Sequence, residues 1–355
     1  MPVPKKNQLI GIDIGSYSIK IAEIQDTKRG MVLKNFGIIK LPPDAIVEGS
    51  IREMGTVSEA IKNLLKNLKI KNKNVATSIS GYSIIVKKIT IPWQESKELE
   101  NTIQNEAEQY IPFDINDVNL DYQILSSENE EEQQEKDMDV LLVAAKKDIV
   151  EEYRNLFHLI EYNPVVLDID AFALQNTFEI SDKEQSGCSA LAHIGSRQLT
   201  INIIKDGVSL FTRDSSHGGD QVTNDIKKKL NISYQDAEKI KLGAMPIEKE
   251  QELIIEEIFS STIVKWVREI RRALDFVTST FSDVQVENIF LSGGSSLIPG
   301  FLEYLGLETG LKVEMLNPFT NLEVNKKLFD PNYLKYIAPI AVISVGLALR
   351  SIDDR

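Results

Sequence analysis

The sequence predicts an α/β protein of two similar domains that face each other, with an α+β subdomain inserted in the first. Three observations carry this. The chain has 355 residues, more than one hydrophobic core usually supports. A strand-turn-strand unit occurs twice, as Ile12-Asp13-Ile14-Gly15-Ser16 and, 180 residues later, as Ala192-His193-Ile194-Gly195-Ser196. A stretch with strand and helix patterns of its own separates the two copies.

The elements follow in order. Gln8 to Ile14 and Ser18 to Ile24 read as strands around the turn Gly15-Ser16-Tyr17, with a third strand near Met31 to Lys40. From Thr56 to Leu68 the apolar residues Val57, Ala60, Ile61, Leu64, Leu65 and Leu68 fall at helical spacing. Val75 to Ser80 and Ser83 to Ile91 are strands around Gly81-Tyr82, and Glu95 to Tyr110 is a polar helix. Asn119 to Leu125 and Val140 to Ala145 are strands. Between them Glu128 to Asp139 holds seven carboxylates and reads as a solvated hairpin loop. Asp148 to Ile160 is a helix leading to a strand at Val165 to Asp168.

The second copy continues through Leu199 to Ile204, a turn at Lys205-Asp206-Gly207 and Val208 to Thr212. His217-Gly218-Gly219-Asp220 opens a helix, Gln221 to Leu230. Asn288 to Phe301 reads as a strand, a Gly293-Gly294 turn and a helix start capped by Ser295 and Ser296. The expected organisation is a first domain over 1–188 with its insertion at about 75–168, a second over 189–337, and a closing segment, 338–355, that returns to the first.

Composition excludes several classes. Forty basic against 53 acidic residues leave a net charge of −13, which repels a nucleic-acid backbone. It also repels anionic lipid unless a local basic patch intervenes. Cys188 is the only cysteine, so neither an intramolecular disulfide nor a multi-cysteine metal site is available, and it reads as a small core residue. Met1 to Gln8 has no apolar region of the signal-peptide kind. The longest apolar run, Ile337 to Leu349, contains Pro339 and falls short of the roughly 20 residues a span requires. The expectation is a cytoplasmic protein whose membrane link runs through a partner.

The chemistry lies in the glycine-rich turns. Successive free N–H groups in a tight turn form an anion-binding nest, and glycine lets a ligand approach the backbone. Two such turns, Gly15-Ser16-Tyr17 and Gly195-Ser196-Arg197, can hold one phosphate chain from both sides. Ser16 and Ser18 add hydroxyl donors, and Lys20 adds charge. Asp13, just before the first turn, suits a hydrated Mg²⁺, which keeps several waters and few protein ligands. A plain hairpin with a capping aspartate explains one copy; the second copy favours the phosphate clamp. Gly218-Gly219 at a helix N-terminus also suits phosphate. The side-chain-free Gly293-Gly294 surface suits a flat ligand such as a purine. Neither a Walker A lysine motif nor a dinucleotide fingerprint is present.

The order of these elements resembles the actin, hexokinase and Hsp70 superfamily. In that resemblance residues 9–24 and 191–204 are similar to the two phosphate loops and 289–301 to the adenosine loop. Asp170 to Phe178 and Ala338 to Leu349 are similar to the two helices that connect the halves. Within the superfamily the chain resembles the PilM family of type IV pilus assembly proteins, with the cell-division family FtsA next. The segments that carry this are Asn105 to Asp114 (Asn-Glu-Ala-Glu-Gln-Tyr-Ile-Pro-Phe-Asp), Phe211-Thr-Arg-Asp214 running into Gly218-Gly219-Asp220-Gln221, and Ile270 to Phe276. The sequence stops at Arg355, directly after the last helix, where FtsA carries an amphipathic membrane-binding helix. That departure favours PilM.

The resemblance implies an actin-like, ribonuclease H-like duplicated fold around a nucleotide cleft, ATP or ADP with Mg²⁺, and capture of the cytoplasmic tail of a PilN-like membrane protein. Pilus assembly ATPases and self-association are further partners it leaves open. Asp236 to Lys241 is similar to an FtsA helix whose glutamate and lysine approach ribose and base, which implies those roles for Glu238 and Lys241. Ser295 joins the adenosine loop. Asp170 aligns with the position that orients the attacking water in actin, and a helix N-cap is its plain alternative.

One departure bears on catalysis. The superfamily has an aspartate where this chain has His193. A histidine with an ordinary pKa near 6.5 is mostly neutral at pH 7 and does not replace that charge around a metal. The expected function is therefore a nucleotide-binding scaffold with slow or absent hydrolysis. The alternatives are an FtsA-like division protein, an active ATPase or small-molecule kinase, which needs a catalytic base near a substrate pocket, and an interaction domain that has lost nucleotide.

Overall fold

The computed structural model describes residues 8–94, 96–125, 137–181, 187–281 and 284–353. Most of the acidic stretch 128–139 lies outside them; its end, Asp137 to Asp139, begins a strand.

The first half is built on a six-stranded sheet. Strands β1 (Ile10–Ile14), β2 (Ser18–Thr27) and β3 (Gly30–Lys40) form an antiparallel meander, and β6 (Asn74–Ile79) and then β10 (Asn163–Ile169) add in parallel beside β1. A short strand, β16 (Glu323–Val324), pairs with β3. The second half repeats the plan. Its meander is β11 (Cys188–Ile194), β12 (Leu199–Lys205) and β13 (Val208–Ser215). On the other side of β11 lie β14 (Val286–Ser292) and β15 (Lys312–Met315), both parallel to it. The two meanders thus carry their Gly-Ser turns at equivalent places.

Helices cover the sheets through periodic apolar faces. Helix α1 (Met54–Asn67) buries Val57, Ala60, Ile61, Leu64 and Leu65 against the first sheet. In the second half α5 (Gly219–Leu230), α6 (Tyr234–Lys241) and the long α7 (Lys249–Thr280) share one core. Along α7 the buried residues Ile255, Ile258, Thr262, Trp266, Ile270, Ala273 and Val277 recur at three- and four-residue spacing. The Trp266 ring meets Phe301 edge-on at 5.5 Å; Phe301 opens α8 (Phe301–Thr309).

The strands β6 and β10, which the sequence reading places in the insertion, belong to the main sheet. Helix α3 (Lys147–Leu159) also packs on the first-half core, through Ile149, Tyr153, Leu156 and Phe157. A separate three-stranded sheet is formed by β7 (Ile84–Pro92), β9 (Asp137–Lys146) and β8 (Val118–Ile124). Helix α2 (Ser96–Tyr110) covers it with Leu99, Ile103 and Ala107. A β4–β5 hairpin (Ile46–Val47, Ser50–Ile51) precedes α1.

Two helices join the halves. They are α4 (Asp170–Ser181) and α9 (Pro331–Ala348), and one apolar cluster unites Leu174 and Val342 of these helices with Ala76 of the first sheet and Leu191 of the second. Helix α9 begins seven residues before the expected Ala338. Asp330 caps it by accepting from the N–H groups of Asn332 and Tyr333, and Pro339 sits inside it. The sequence reading took the apolar run as the helix, whereas the polar first turn is held by its cap. Gly346 lets the two helices touch: a Cβ there would lie 1.8 Å from the Ala173 carbonyl oxygen. Thr177 Oγ1 donates to the Val342 carbonyl at 2.7 Å across the same crossing.

Candidate functional site

A cavity of about 530 Å³ opens between the halves, lined by both Gly-Ser turns, the Gly293-Gly294 loop and the faces of α6 and α9. The turns share one geometry. Gly15 N–H donates to the Ser18 carbonyl at 3.2 Å, and Gly195 N–H donates to the Gln198 carbonyl at 2.8 Å. These bonds close each turn. The next two N–H groups in each, of Ser16 and Tyr17 and of Ser196 and Arg197, meet no protein acceptor among the described residues. All four residues line the cavity. Four backbone donors at the ends of two facing hairpins make a cradle for an anion.

Asp13 and Lys20 lie directly opposite in the β1–β2 register and form an ion pair of 3.1 Å at the cavity wall. In the second copy His193 stands opposite Thr200. Burial first, and the Lys20 ammonium second, push the His193 imidazolium down to a pKa of about 3. Its Nδ1 lies 3.0 Å from Ser292 Oγ, a strand neighbour in β14. His193 is therefore a neutral imidazole at pH 7. Asp170, the first residue of α4, accepts a 2.6 Å hydrogen bond from Ser78 Oγ. Burial, and then the Asp13 charge, raise its carboxyl to a pKa of about 7. The residue lines the cavity, and its carboxyl holds a proton more tightly than an ordinary aspartate.

Arg197 spans the cleft. Its guanidinium pairs with Asp44, donates to the Ile46 carbonyl at 3.3 Å and reaches Asp220 at 3.4 Å. At the other end of the cavity, Glu238 and Lys241 form a 2.7 Å pair. Lys241 Nζ also donates to Thr223 Oγ1 at 3.0 Å and faces the Gly219 carbonyl at 3.4 Å. Burial pulls the Lys241 ammonium below its ordinary pKa, and Glu238 opposes that. The three donors of Lys241 already have protein partners. It holds Glu238 and the start of α5 in place.

Gly218 and Gly219 do not line the cavity. Gly219 N–H donates to the Gly195 carbonyl at 3.1 Å and Asp220 N–H to the Ser196 carbonyl at 2.7 Å, so the helix start is occupied by the second turn itself. Cβ atoms at Gly218 and Gly219 would lie 2.3 Å from the Ser196 carbonyl oxygen and 2.1 Å from Ser295 Oγ. These glycines admit a neighbouring loop, where the sequence reading expected a phosphate. Gly293 acts similarly, close against Ile194 with φ at +88°, whereas a Cβ at Gly294 would meet nothing. Gly293 N–H donates to the carbonyl of Pro339 at 2.7 Å, and Ser295 Oγ to that of Gly195 at 2.8 Å. The Gly-Gly loop is thus fixed to α9 and to the second turn.

Several wall residues escaped the sequence reading: Ser78, Tyr153, Gln198, Lys40 and Tyr336. Lys40 Nζ lies 5.3 Å from the centre of the Tyr17 ring, and the Tyr17 side chain raises its ammonium above the ordinary pKa. Of these, Gln198 had a readable signal, as the residue whose carbonyl closes the second turn; the others arrive from distant segments.

Two sheets of one plan, joined by two crossing helices around a cleft with paired glycine turns, define an actin-like protein. Among solved structures the chain is similar to MreB5 of Spiroplasma citri bound to AMPPNP (13% identity, TM-score 0.52, 88% of this chain and 92% of that one). It is more similar to the protein in a structure of a PilM-PilN type IV pilus biogenesis complex, with a TM-score of 0.86, 26% identity, and coverage of 98% and 99%. The cell division protein FtsA of Enterococcus faecalis is 26% identical over 192 residues, which span 49% of this chain and 40% of that protein. The sequence matches the family of the type IV pilus assembly protein PilM over residues 11–352, and the chain belongs to that family.

No helix among the described residues is long and apolar enough to cross a membrane. No group of three or more His, Cys, Asp or Glu among them is placed to hold a metal ion.

Proposed function

We propose that the protein is a nucleotide-binding scaffold of the type IV pilus assembly platform and that it grips the cytoplasmic tail of a PilN-like membrane protein at the inner face of the membrane. The observation that supports nucleotide binding is the set of four free N–H donors on two facing turns around one cavity. Phosphates fit between Gly15, Ser16, Tyr17 and Ser18 on one side and Gly195, Ser196 and Arg197 on the other, with Lys20 supplying charge. The base and ribose fit the end lined by Glu238, Lys241, Gly293, Gly294 and Ser295. ATP or ADP with Mg²⁺ is the ligand proposed.

The metal fits through water. Asp13, two residues before Gly15, is the carboxylate proposed to face the metal's waters, and it is paired with Lys20. Its counterpart His193 is neutral, so Mg²⁺ would lean on the phosphates and on waters that Asp13 orients. Hydrolysis is then slow. Asp170 is proposed to orient the attacking water.

The tail reading rests on family membership and on the likeness to the PilM of the PilM-PilN complex. The groove is proposed along Gly81 to Pro92 and Glu106 to Asp114, where an extended peptide pairs its backbone with the protein and seats apolar side chains in pockets. Tyr82 and Tyr110 are exposed there.

Two measurements test the proposal. A thermal-shift titration with Mg-ATP at about 100 times Kd should stabilise the chain by about 2.7 kcal/mol, and less in Asp13→Ala. No shift in nucleotide-free protein refutes nucleotide binding. A labelled tail peptide titrated into the full chain should bind, with at least roughly tenfold weaker binding in Tyr82→Ala/Tyr110→Ala. Unchanged binding moves the groove elsewhere, and no binding to the natural chain refutes the tail reading.

A further inference from the structure

Charge is unevenly placed along this acidic chain. Residues 60–94 contain seven lysines and neither aspartate nor glutamate, in a protein of net charge −13. Five of the seven, Lys62, Lys66, Lys69, Lys71 and Lys73, fall within twelve residues and are exposed. They occupy the last turns of α1 and the segment that enters β6. Among the described residues only Lys73 of these five has an ion-pair partner, Glu161 at 3.8 Å, and both side chains are largely in water. Glu59 precedes the cluster and Glu161 pairs with Lys73, while Glu23, Asp26 and Lys34 share a cleft with Asn72 and Asn74 beside it. Complementing the helix dipole accounts for Lys66 in the last turn of α1. It does not account for Lys71 and Lys73, which lie beyond the helix.

The cluster has a defined place. Strand β6 starts at Asn74, next to Lys73, and its Ser78 hydrogen-bonds Asp170 at the cavity wall. Lys73 therefore sits at the end of the first sheet opposite the cleft, about 17 Å from Ser78 at 3.3 Å per strand residue, and the other four lysines precede it in the last turns of α1 and the segment after that helix.

We propose that this lysine face is a docking surface for an anionic lipid bilayer. The cations are all lysines. Lysine is a flexible point charge without the planar fork that arginine uses for bidentate pairing, so the face suits a fluid layer of headgroups better than a fixed array of carboxylates. Leu159, 54% exposed and two residues from Glu161, adds an apolar contact at the same end. Docked in this way, the chain turns its cleft away from the bilayer and leaves it open to nucleotide. The contact is separate from capture of a membrane protein's tail.

The test is sedimentation of the full chain with vesicles of phosphatidylcholine alone and of phosphatidylcholine with phosphatidylglycerol in roughly equal parts, without any peptide. Binding is expected to the anionic vesicles at about 50 mM salt and release at about 300 mM. At roughly fivefold per neutralised lysine, Lys62→Glu/Lys66→Glu/Lys71→Glu should lower partitioning at least a hundredfold and leave the nucleotide thermal shift in place. Lys227→Glu/Lys228→Glu/Lys229→Glu makes the same charge change on the exposed end of α5 and should keep most of the binding. No binding by the natural chain, equal binding to neutral vesicles, or equal loss in both triple variants overturns the proposal. So does lysine-dependent self-association or DNA-duplex binding in place of vesicle binding.

Discussion

Asp13 and His193 are equivalent residues in the two halves, each two positions before the glycine of its turn and each facing a partner across an antiparallel register, Lys20 for one and Thr200 for the other. The first pair carries opposite charges and the second carries none. Restoring the missing carboxylate tests what that asymmetry does. His193→Asp should raise ATP turnover roughly tenfold or more, because a second carboxylate orders the waters of a phosphate-bound metal. Steady-state phosphate release checks it. A natural chain that already turns over many times per second, or a slower variant, refutes the argument.

Asp170 makes stability depend on pH. Its carboxyl is raised from 3.8 to about 7 by folding. Between those values the folded chain binds the proton that the unfolded chain has lost, so this group's contribution falls as pH rises through the window. Asp170→Asn stays neutral. The natural chain should lose about 1.4 kcal/mol per pH unit relative to the variant within that window. Melting both at pH 5 and pH 8, without nucleotide, should show a gap that widens at pH 8. His193 is present in both and cancels. A gap independent of pH rules the effect out.

The buried pair Glu238–Lys241 should behave asymmetrically on mutation. Glu238→Ala leaves the Lys241 ammonium, only 4% exposed, without its counter-charge, and should cost about 3 kcal/mol in denaturant unfolding. Replacing both, as Glu238→Gln/Lys241→Met, should recover most of that loss. If the double variant is as unstable as the sum of both single changes, the pair is not coupled.

Gly346→Ala is expected to be severe. The added methyl falls 1.8 Å from the Ala173 carbonyl oxygen, so α4 and α9 must separate and loosen the Thr177–Val342 bond. A loss of roughly 3 kcal/mol or more is predicted, with weaker nucleotide binding. A variant melting within a degree of the natural chain refutes this.

The duplicated hairpins were legible because everything that defines them is local: apolar alternation, a Gly-Ser turn and short registers. Their recurrence gave two similar domains, and the order of the elements around them carried the resemblance to the actin superfamily. The base end of the cleft was less legible. Tyr336 and Lys40 reach it from α9 and β3, and nothing near either residue in sequence announces a shared cavity. Gly218-Gly219 shows a different limit. A glycine pair before a helix reads the same whether a ligand or another loop comes close, and here Ser196 and Ser295 come close. The start of α9 was missed for a physical reason too: the apolar run begins at Ile337, and the polar turns before it, held by the Asp330 cap, carry no apolar pattern.

The contact among Gly219, Ser295 and the Gly195-Ser196 turn has a consequence for descent. Ser295 Oγ fills the space that a side chain at position 219 would need and donates to Gly195, while the Gly219 and Asp220 N–H groups hold the carbonyls of the same turn. None of the three segments is free to vary alone. A lineage drifting at position 219 must first shorten residue 295, and that step releases the turn whose free N–H groups face the cleft. Change in these loops therefore has to be concerted, and the effects of single substitutions there will not add.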